Sequence, residues 1–262
     1  MVLQLSDSKL YIVLLMGTPI RFFLLAHPDD EILALPLLFD SRFKNVLFFV
    51  TAGKFDSRYG EAQKAISYLR EFGLEIDLLS NHHPCFDGQV DSEYSSAQFK
   101  YLLDLVSQVS PIEIVTSFYE GGHQDHDSAA VIGYLLAMEL EIPLLMFSTY
   151  RKSNNWIVPF RVMSPLDNPL IFRFDRFNVA LASISLFKIY RSQWKTWIGL
   201  GIFVLYRYLV GKTSSFKYIT ARLDLDVPET FYESRKRANS FLVKSNHQQL
   251  IDEVIGRKYF YK

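Results

Sequence analysis

Five short apolar runs punctuate the first part of the chain: Phe22–Leu25, Val46–Val50, Leu74–Leu79, Ile112–Thr116 and Pro143–Phe147. Each is too short for a helix, and turn-forming residues such as Pro19, Pro28, Gly53, Gly73 and Pro111 bound them. Between them lie segments with helical spacing: Ile32–Phe39, Arg58–Phe72, Ser95–Val109 and Ser128–Leu140. In the second of these Ala62, Ala65, Ile66 and Leu69 share one face. Buried strands alternating with helices of this length require a parallel sheet with right-handed crossovers. The expected fold is therefore α/β: a three-layer α/β/α sandwich around a Rossmann-like, mainly parallel sheet of at least about five strands.

The chain has 262 residues, of which 49% are apolar, so it can build a sizeable core. The expectation is a single domain with its core at about 20–150 and a helical C-terminal part at about 151–262. Twenty-eight basic residues balance twenty-eight acidic ones, which argues against nucleic acid as a partner. Cys85 is the only cysteine, so neither an intramolecular disulfide nor a thiolate metal cage can form. Leu10–Met16 is too short to span a bilayer, and with only Lys9 before it, it does not read as a signal peptide. The expected location is cytoplasmic, with peripheral membrane contact left open by the apolar stretch Trp197–Val210. That stretch reads either as a helix buried against the domain or as an apolar surface for membrane or a lipid-linked glycan. Phe177–Val210 as a whole reads as two helices broken near Gly199-Leu200-Gly201. Trp156–Val162 reads as an extra strand, the charged tail from Tyr232 as a solvated face, and His247 as a surface histidine.

Two stretches carry chemistry. Ala26-His27-Pro28-Asp29-Asp30-Glu31 directly follows the first apolar run. Open α/β sheets keep their sites at the carboxyl ends of their strands. Three adjacent carboxylates repel one another, and a metal ion is one counter-charge, with His and Asp a normal ligand pair for zinc. The plainer reading is a helix N-terminus, where acids and a proline are favoured. The second stretch, Gly121-Gly122-His123-Gln124-Asp125-His126-Asp127, follows the fourth run. His123 and His126 could both bind one metal, or one could bind while the other faces substrate. In a parallel sheet the two stretches can meet on one edge.

The order, strand contexts and separation of these two motifs resemble the signatures of the PIG-L/LmbE-like zinc de-N-acetylases, over roughly residues 21–150. The resemblance implies zinc held by His27, Asp30 and His126, an arrangement that leaves an open position for water. It implies Asp29 as general base and His123, as imidazolium, as stabiliser of the oxyanion. Asp125 would orient His123, and Glu31 would buttress the loop or form a salt bridge. More loosely, Arg58 and Asp87 resemble the family's sugar-binding residues; a helix-end ion pair and an Asp-Gly turn are the alternatives. Tyr190-Arg191-Ser192-Gln193 resembles a stretch where a helix closes over the site. The implied reaction is zinc-dependent hydrolysis of an N-acetyl group from an N-acetylglucosamine-type amino sugar or glycoconjugate, with lipid-linked sugars among the family's substrates. The competing reading is a non-catalytic sugar- or metal-binding protein with a vestigial site. Neither the aglycone nor the oligomeric state follows from the sequence.

Overall fold

The computed structural model describes residues 17–52, 57–120, 123–152, 160–164, 166–219 and 246–254. Leu10–Met16, Gly121-Gly122, Trp156 and the tail from Tyr232 to Ser245 lie outside them.

Five parallel strands form the centre: β1 (Ile20–Leu25), β2 (Lys44–Phe49), β3 (Ile76–Leu78), β4 (Glu113–Ser117) and β5 (Leu144–Phe147). Between them run α1 (Glu31–Leu38), α2 (Ser57–Glu71), the short α3 (Val90–Glu93), α4 (Ser96–Val109) and α5 (Gln124–Leu140). A two-stranded ribbon of β6 (Tyr150–Lys152) and β7 (Phe160–Val162) follows, then β8 (Leu170–Arg173). A helical hairpin comes next: α6 (Arg176–Ile189), a 3₁₀ turn at Arg191–Gln193, and α7 (Trp194–Val210). β9 (Lys212–Ile219) returns to the sheet, and residues 246–254 form a last helix, α8.

The main sheet has the order β3-β2-β1-β4-β5-β9-β8, with β9 and β8 antiparallel to their neighbours. This is the mainly parallel α/β sheet that the alternating pattern predicts. Strand order reverses between β1 and β4, which are hydrogen-bonded neighbours. Ligands in such sheets bind beyond the carboxyl ends of the strands at this switch point. Successive residues of a strand face opposite layers. Accordingly Phe23 and Leu25 of β1 join the core under α1, α2 and the hairpin, whereas Phe22 and Leu24 join the core under α4 and α5.

α1 contains Pro36, which cannot give an amide hydrogen to the carbonyl of Ile32. The hydroxyl of Tyr208, from α7, donates to that carbonyl instead. The hairpin thus repairs the defect in α1 while closing over it. Two expectations fail in this part of the chain. The break between the two helices falls at Tyr190–Gln193, not at Gly199-Leu200-Gly201, which lies inside α7. Gly201 marks close packing: a Cβ there would lie 3.2 Å from the ring of Phe187. His247 is buried, not exposed, with its Nε2 2.9 Å from the hydroxyl of Ser128 on α5.

Candidate active site

β1 ends at Leu25, and the chain then turns through His27-Pro28-Asp29-Asp30 into α1. The amide of His27 donates to Oδ2 of Asp30 at 2.8 Å, and the amide of Asp30 donates to the carbonyl of His27 at 3.2 Å. This tight turn leaves Asp29 at φ +105°, a backbone region that L-residues with side chains rarely occupy. Such a conformation costs about 1–3 kcal/mol and persists where the surroundings impose it. It sets the Asp29 carboxylate in the pocket, where the indole N–H of Trp197 donates to its Oδ2 at 3.1 Å. Glu31, fully buried beneath, accepts from the amide of Asp29 at 3.0 Å and from the hydroxyl of Tyr190. Glu31 is therefore a buttress of the turn rather than half of a salt bridge.

The second stretch leaves β4, the strand beside β1. Its helix starts earlier than the sequence predicts, at Gln124 rather than Ser128, with His123 as the N-cap. The reason is local. Nδ1 of His123 accepts from the amide of Asp125 at 3.2 Å, and acids at 125 and 127 favour the first turn. Asp125 and His126 thus project from a helix that the sheet holds rigidly: the hydroxyl of Ser117, at the end of β4, donates to the carbonyl of His126 at 2.7 Å.

Three atoms converge where the stretches meet. Nε2 of His126 lies 3.2 Å from Nδ1 of His27 and 3.1 Å from Oδ1 of Asp30. Each histidine is held from behind. The far nitrogen of His27 meets Oδ2 of Asp125 at 2.9 Å, and that of His126 meets the hydroxyl of Thr149 at 3.3 Å. When both rings are neutral and the far nitrogens donate, the near ones present lone pairs towards each other and towards a carboxylate oxygen. Such atoms repel unless a cation sits between them. Zinc bonds of about 2.0–2.1 Å in a tetrahedron put ligand atoms about 3.3 Å apart, close to these separations. His27, Asp30 and His126 therefore fit a metal ion of that kind, and carboxylate backing of a histidine ligand is the usual supporting contact.

The geometry bears on two expected roles. The carboxylate of Asp125 serves His27, not His123: it lies 2.9 Å from His27 Nε2 but 4.0 Å from His123 Nδ1. It also accepts the amides of Gly88 (2.6 Å) and Val90 (3.2 Å), tying in the loop after β3. Burial, then the neighbouring His126 and His27, push the pKa of His123 down to about 3, which disfavours its imidazolium form. Because its Nδ1 accepts a backbone hydrogen, the neutral ring carries its proton on Nε2.

The charges around the turn are strongly perturbed. Burial opposes charge on His27, but the carboxylates of Asp125, Asp30 and Asp87 outweigh it and hold its pKa well above the usual value. Burial and then the Asp30 carboxylate push Asp29 up. Burial pushes Asp30 up as well, but the pull of His126 and His27 holds it low. Burial raises Glu31 to about 7 against the hydrogen bond from Tyr190. Functional clefts are where perturbations of this kind cluster.

A cavity of about 170 Å³ opens above, lined by the turn, by Arg58, Asp87, His123 and His126, and by Gln193, Thr196, Trp197 and Leu200. Arg58 donates to Oδ2 of Asp87 at 2.6 Å, and Oδ1 of Asp87 lies 2.9 Å from Nε2 of His27. Glu61, one turn after Arg58, accepts the amide and hydroxyl of Ser192. Every metal, catalytic and sugar-binding residue singled out in the sequence gathers here. Of the remaining lining residues, Gln193 belongs to the Tyr190–Gln193 likeness, whereas Thr196, Trp197 and Leu200 carry no site signal, because their segment announces itself only as apolar.

No family model and no curated protein matches the chain. Solved structures do. A40926 pseudoaglycone deacetylase aligns over 70% of this chain and 85% of its own, at 16% identity and a TM-score of 0.51. The zinc-inhibited form of teicoplanin deacetylase aligns over 76% and 97%, at 12% identity and 0.51. A conserved protein from Thermus thermophilus aligns over 79% and 97%, at 15% identity and 0.50. With the strand order and the switch-point turn described above, these alignments establish that the chain shares the fold of those deacetylases.

Proposed function

We propose that the protein is a zinc-dependent hydrolase that removes an N-acetyl group from an amino sugar of the N-acetylglucosamine type, free or in a glycoconjugate. The observation that carries this reading is the convergence of His27, Asp30 and His126 on one point with the carboxylate of Asp29 beside it. The deacetylase names of proteins with the same fold support it.

A divalent ion held by the three residues would lower the pKa of a water and polarise the amide carbonyl. Asp29 takes the proton from the attacking water and later returns it to the departing amine. The Trp197 N–H holds the Asp29 carboxylate in one orientation through this exchange. His123 donates its Nε2 hydrogen to the oxyanion of the tetrahedral state, as a neutral donor. Arg58, Asp87 and Gln193 ring the mouth and present hydrogen-bonding groups suited to sugar hydroxyls. The cavity is smaller than the ~300–1,000 Å³ that encloses a drug-sized ligand, so it suits one end of a larger substrate.

The test is a chelated preparation reloaded with zinc, with metal content and acetate release measured together over a panel of N-acetylglucosamine conjugates. About one zinc per chain is expected, with acetate release that is lost on chelation. Binding of zinc and sugar without turnover across the panel would leave a binding protein instead.

A further inference from the structure

Apolar residues of a surface helix normally face the core on one stripe. α7 carries two. Trp197, Gly201, Val204 and Tyr208 form the buried one. On the other side Trp194, Ile198, Ile202 and Tyr206 follow at intervals of four, then Leu209 and Val210, all in solvent. Ile198, Ile202 and Tyr206 are 71%, 69% and 67% exposed. The neighbouring helix repeats the pattern: Phe177, Leu181 and Ile184 of α6 are exposed at helical spacing. The two helices pack against each other, joined at one end by the Arg191–Gln193 turn, while Arg176 meets Gly211 at the other. Exposed apolar stripes on both are far more than singly scattered surface residues.

Charge decides what could cover them. Between residues 176 and 210 the chain has five cations, Arg176, Lys188, Arg191, Lys195 and Arg207, and no acid. The chain as a whole is neutral, so this is a local excess. The adjoining acids are already engaged: Asp175 caps the amides of Phe177 and Asn178, and Glu61 holds Ser192. A second copy of the chain would set these cations against their own kind across a two-fold axis. Nucleic acid would meet the cations but leave the isoleucines in water. An anionic phospholipid surface satisfies both, with headgroups on the cations and acyl chains on the apolar stripe. No helix among the described residues is long and apolar enough to cross a membrane, and α7, with 17 residues, is suited to lying in the interface.

We infer that the outer face of the α6–α7 hairpin docks the protein on an anionic phospholipid bilayer. Trp194 and Ile198 of that face sit beside Gln193, Thr196 and Trp197 of the pocket rim. Docking therefore brings the mouth of the pocket to the level of lipid headgroups. The docking itself does not depend on the proposed reaction and is read without any substrate.

Flotation of the full chain with vesicles tests it. Phosphatidylcholine vesicles containing phosphatidylglycerol should carry wild-type protein upward, and pure phosphatidylcholine vesicles should carry much less. Lys188→Gln, Arg191→Gln and Lys195→Gln together should weaken partitioning by about a hundredfold, since each cation near an anionic surface contributes about fivefold. Ile198→Ser and Ile202→Ser together should weaken it by a similar factor. Both sets of changes are at exposed positions, and an unchanged melting curve shows that the variants remain folded. Tryptophan fluorescence gives an independent readout: vesicles should shift the wild-type emission to the blue and the Trp194→Phe emission far less. Wild-type protein that stays at the bottom of the gradient would overturn the inference. Equal flotation with neutral vesicles would overturn the anionic surface. A dimer in solution abolished by Ile198→Ser and Ile202→Ser would show that a second copy covers the face, and would overturn it as well.

Discussion

β1 and β4 lie side by side, and their two ends are built from similar residue types to opposite effect. At the amino end Arg21 of β1 donates to Glu113 of β4 and, at 3.0 Å, to the carbonyl of Leu37. Asp40 lies 3.7 Å from the same guanidinium, Phe43 covers it, and Tyr218 donates to the other oxygen of Glu113 at 2.9 Å. Nearly every polar atom of this network has its partner within it. At the carboxyl end Asp29, Asp30, Glu31, Asp87 and Asp125 crowd around His27, and among the described residues Arg58 is the arginine lining the pocket. Among the described residues carboxylates outnumber permanent cations there, and one of them sits on a strained backbone. Buried charge is costly unless paired. A closed network is explained by the fold alone, whereas an excess of acids at the switch point is the setting that a bound cation would complete.

Asp29→Asn should break the comparison most visibly. It keeps shape and tolerates the backbone but cannot take a proton. A loss of about 10²- to 10⁴-fold in kcat is expected, with zinc content and melting temperature unchanged. Asp29→Gly should lose activity equally while gaining stability, because glycine relieves the φ +105° strain, worth about 1–3 kcal/mol. Activity preserved in Asp29→Asn would remove the residue from the proposed chemistry.

Arg21→Met is the matching change at the amino end. It strands the buried Glu113 carboxylate without its charge partner. The expected cost is about 3–5 kcal/mol in chemical denaturation, with turnover per folded molecule near wild type. If instead turnover fell while stability held, the two ends would not be separable as structure and site.

The same contrast separates what is legible in the sequence from what is not. The strands, the order of elements and the two motifs are local patterns: apolar runs, helical spacing, acids after a strand. They were legible, and the parallel sheet brought His27, Asp30 and His126 together as expected. What was not legible depends on long-range packing. Nothing in the spacing of Asp125 says that its carboxylate reaches the far nitrogen of His27 rather than the histidine two residues away. His247 reads as one more polar residue in a charged tail, because the residues it meets, Ser128 and Tyr119, lie more than a hundred positions away in the chain. The glycines of α7 read as a helix break because glycine usually is one, but Gly201 serves close approach to Phe187. Trp197 was hidden by its neighbours: in an apolar stretch an indole reads as packing, and only the fold turns its N–H towards Asp29.

His247 supplies a pH-dependent prediction that bears on neither end of β1. Burial pushes its pKa down to about 4, against about 6.5 in an unfolded chain. Above pH 6.5 the ring is neutral in both states and costs nothing. As pH falls through 6.5 the unfolded chain takes up a proton that the folded one resists until about pH 4. Stability should therefore drop by about 3 kcal/mol over that interval from this residue alone. Urea midpoints at pH 7, 5.5 and 4 check this, and His247→Gln, which can still bond Ser128, should flatten the dependence. A dependence equally steep in His247→Gln would assign the acid sensitivity to other groups.

The smallest expected effect joins the hairpin to the carboxyl end of β1. Trp197 does two things there: its ring stacks on Phe187 at 4.8 Å between centroids, and its N–H donates to Asp29. Trp197→Phe keeps an aromatic ring for the stack and removes only the donor. A hydrogen bond to a charged group is worth about 1.5–3 kcal/mol. Water entering the pocket would replace part of that, so a loss of about tenfold is expected. It should fall on kcat and leave KM nearly unchanged, because Trp197 is assigned to hold the base rather than the substrate. The donor also stabilises the ionised carboxylate, so its removal should move the acidic limb of the kcat/KM profile to higher pH. A purely structural role for Trp197 would lower stability and kcat together and leave that limb where it is. If Trp197→Phe raised KM alone, the indole would belong to substrate binding, and the positioning of Asp29 would rest on the turn by itself.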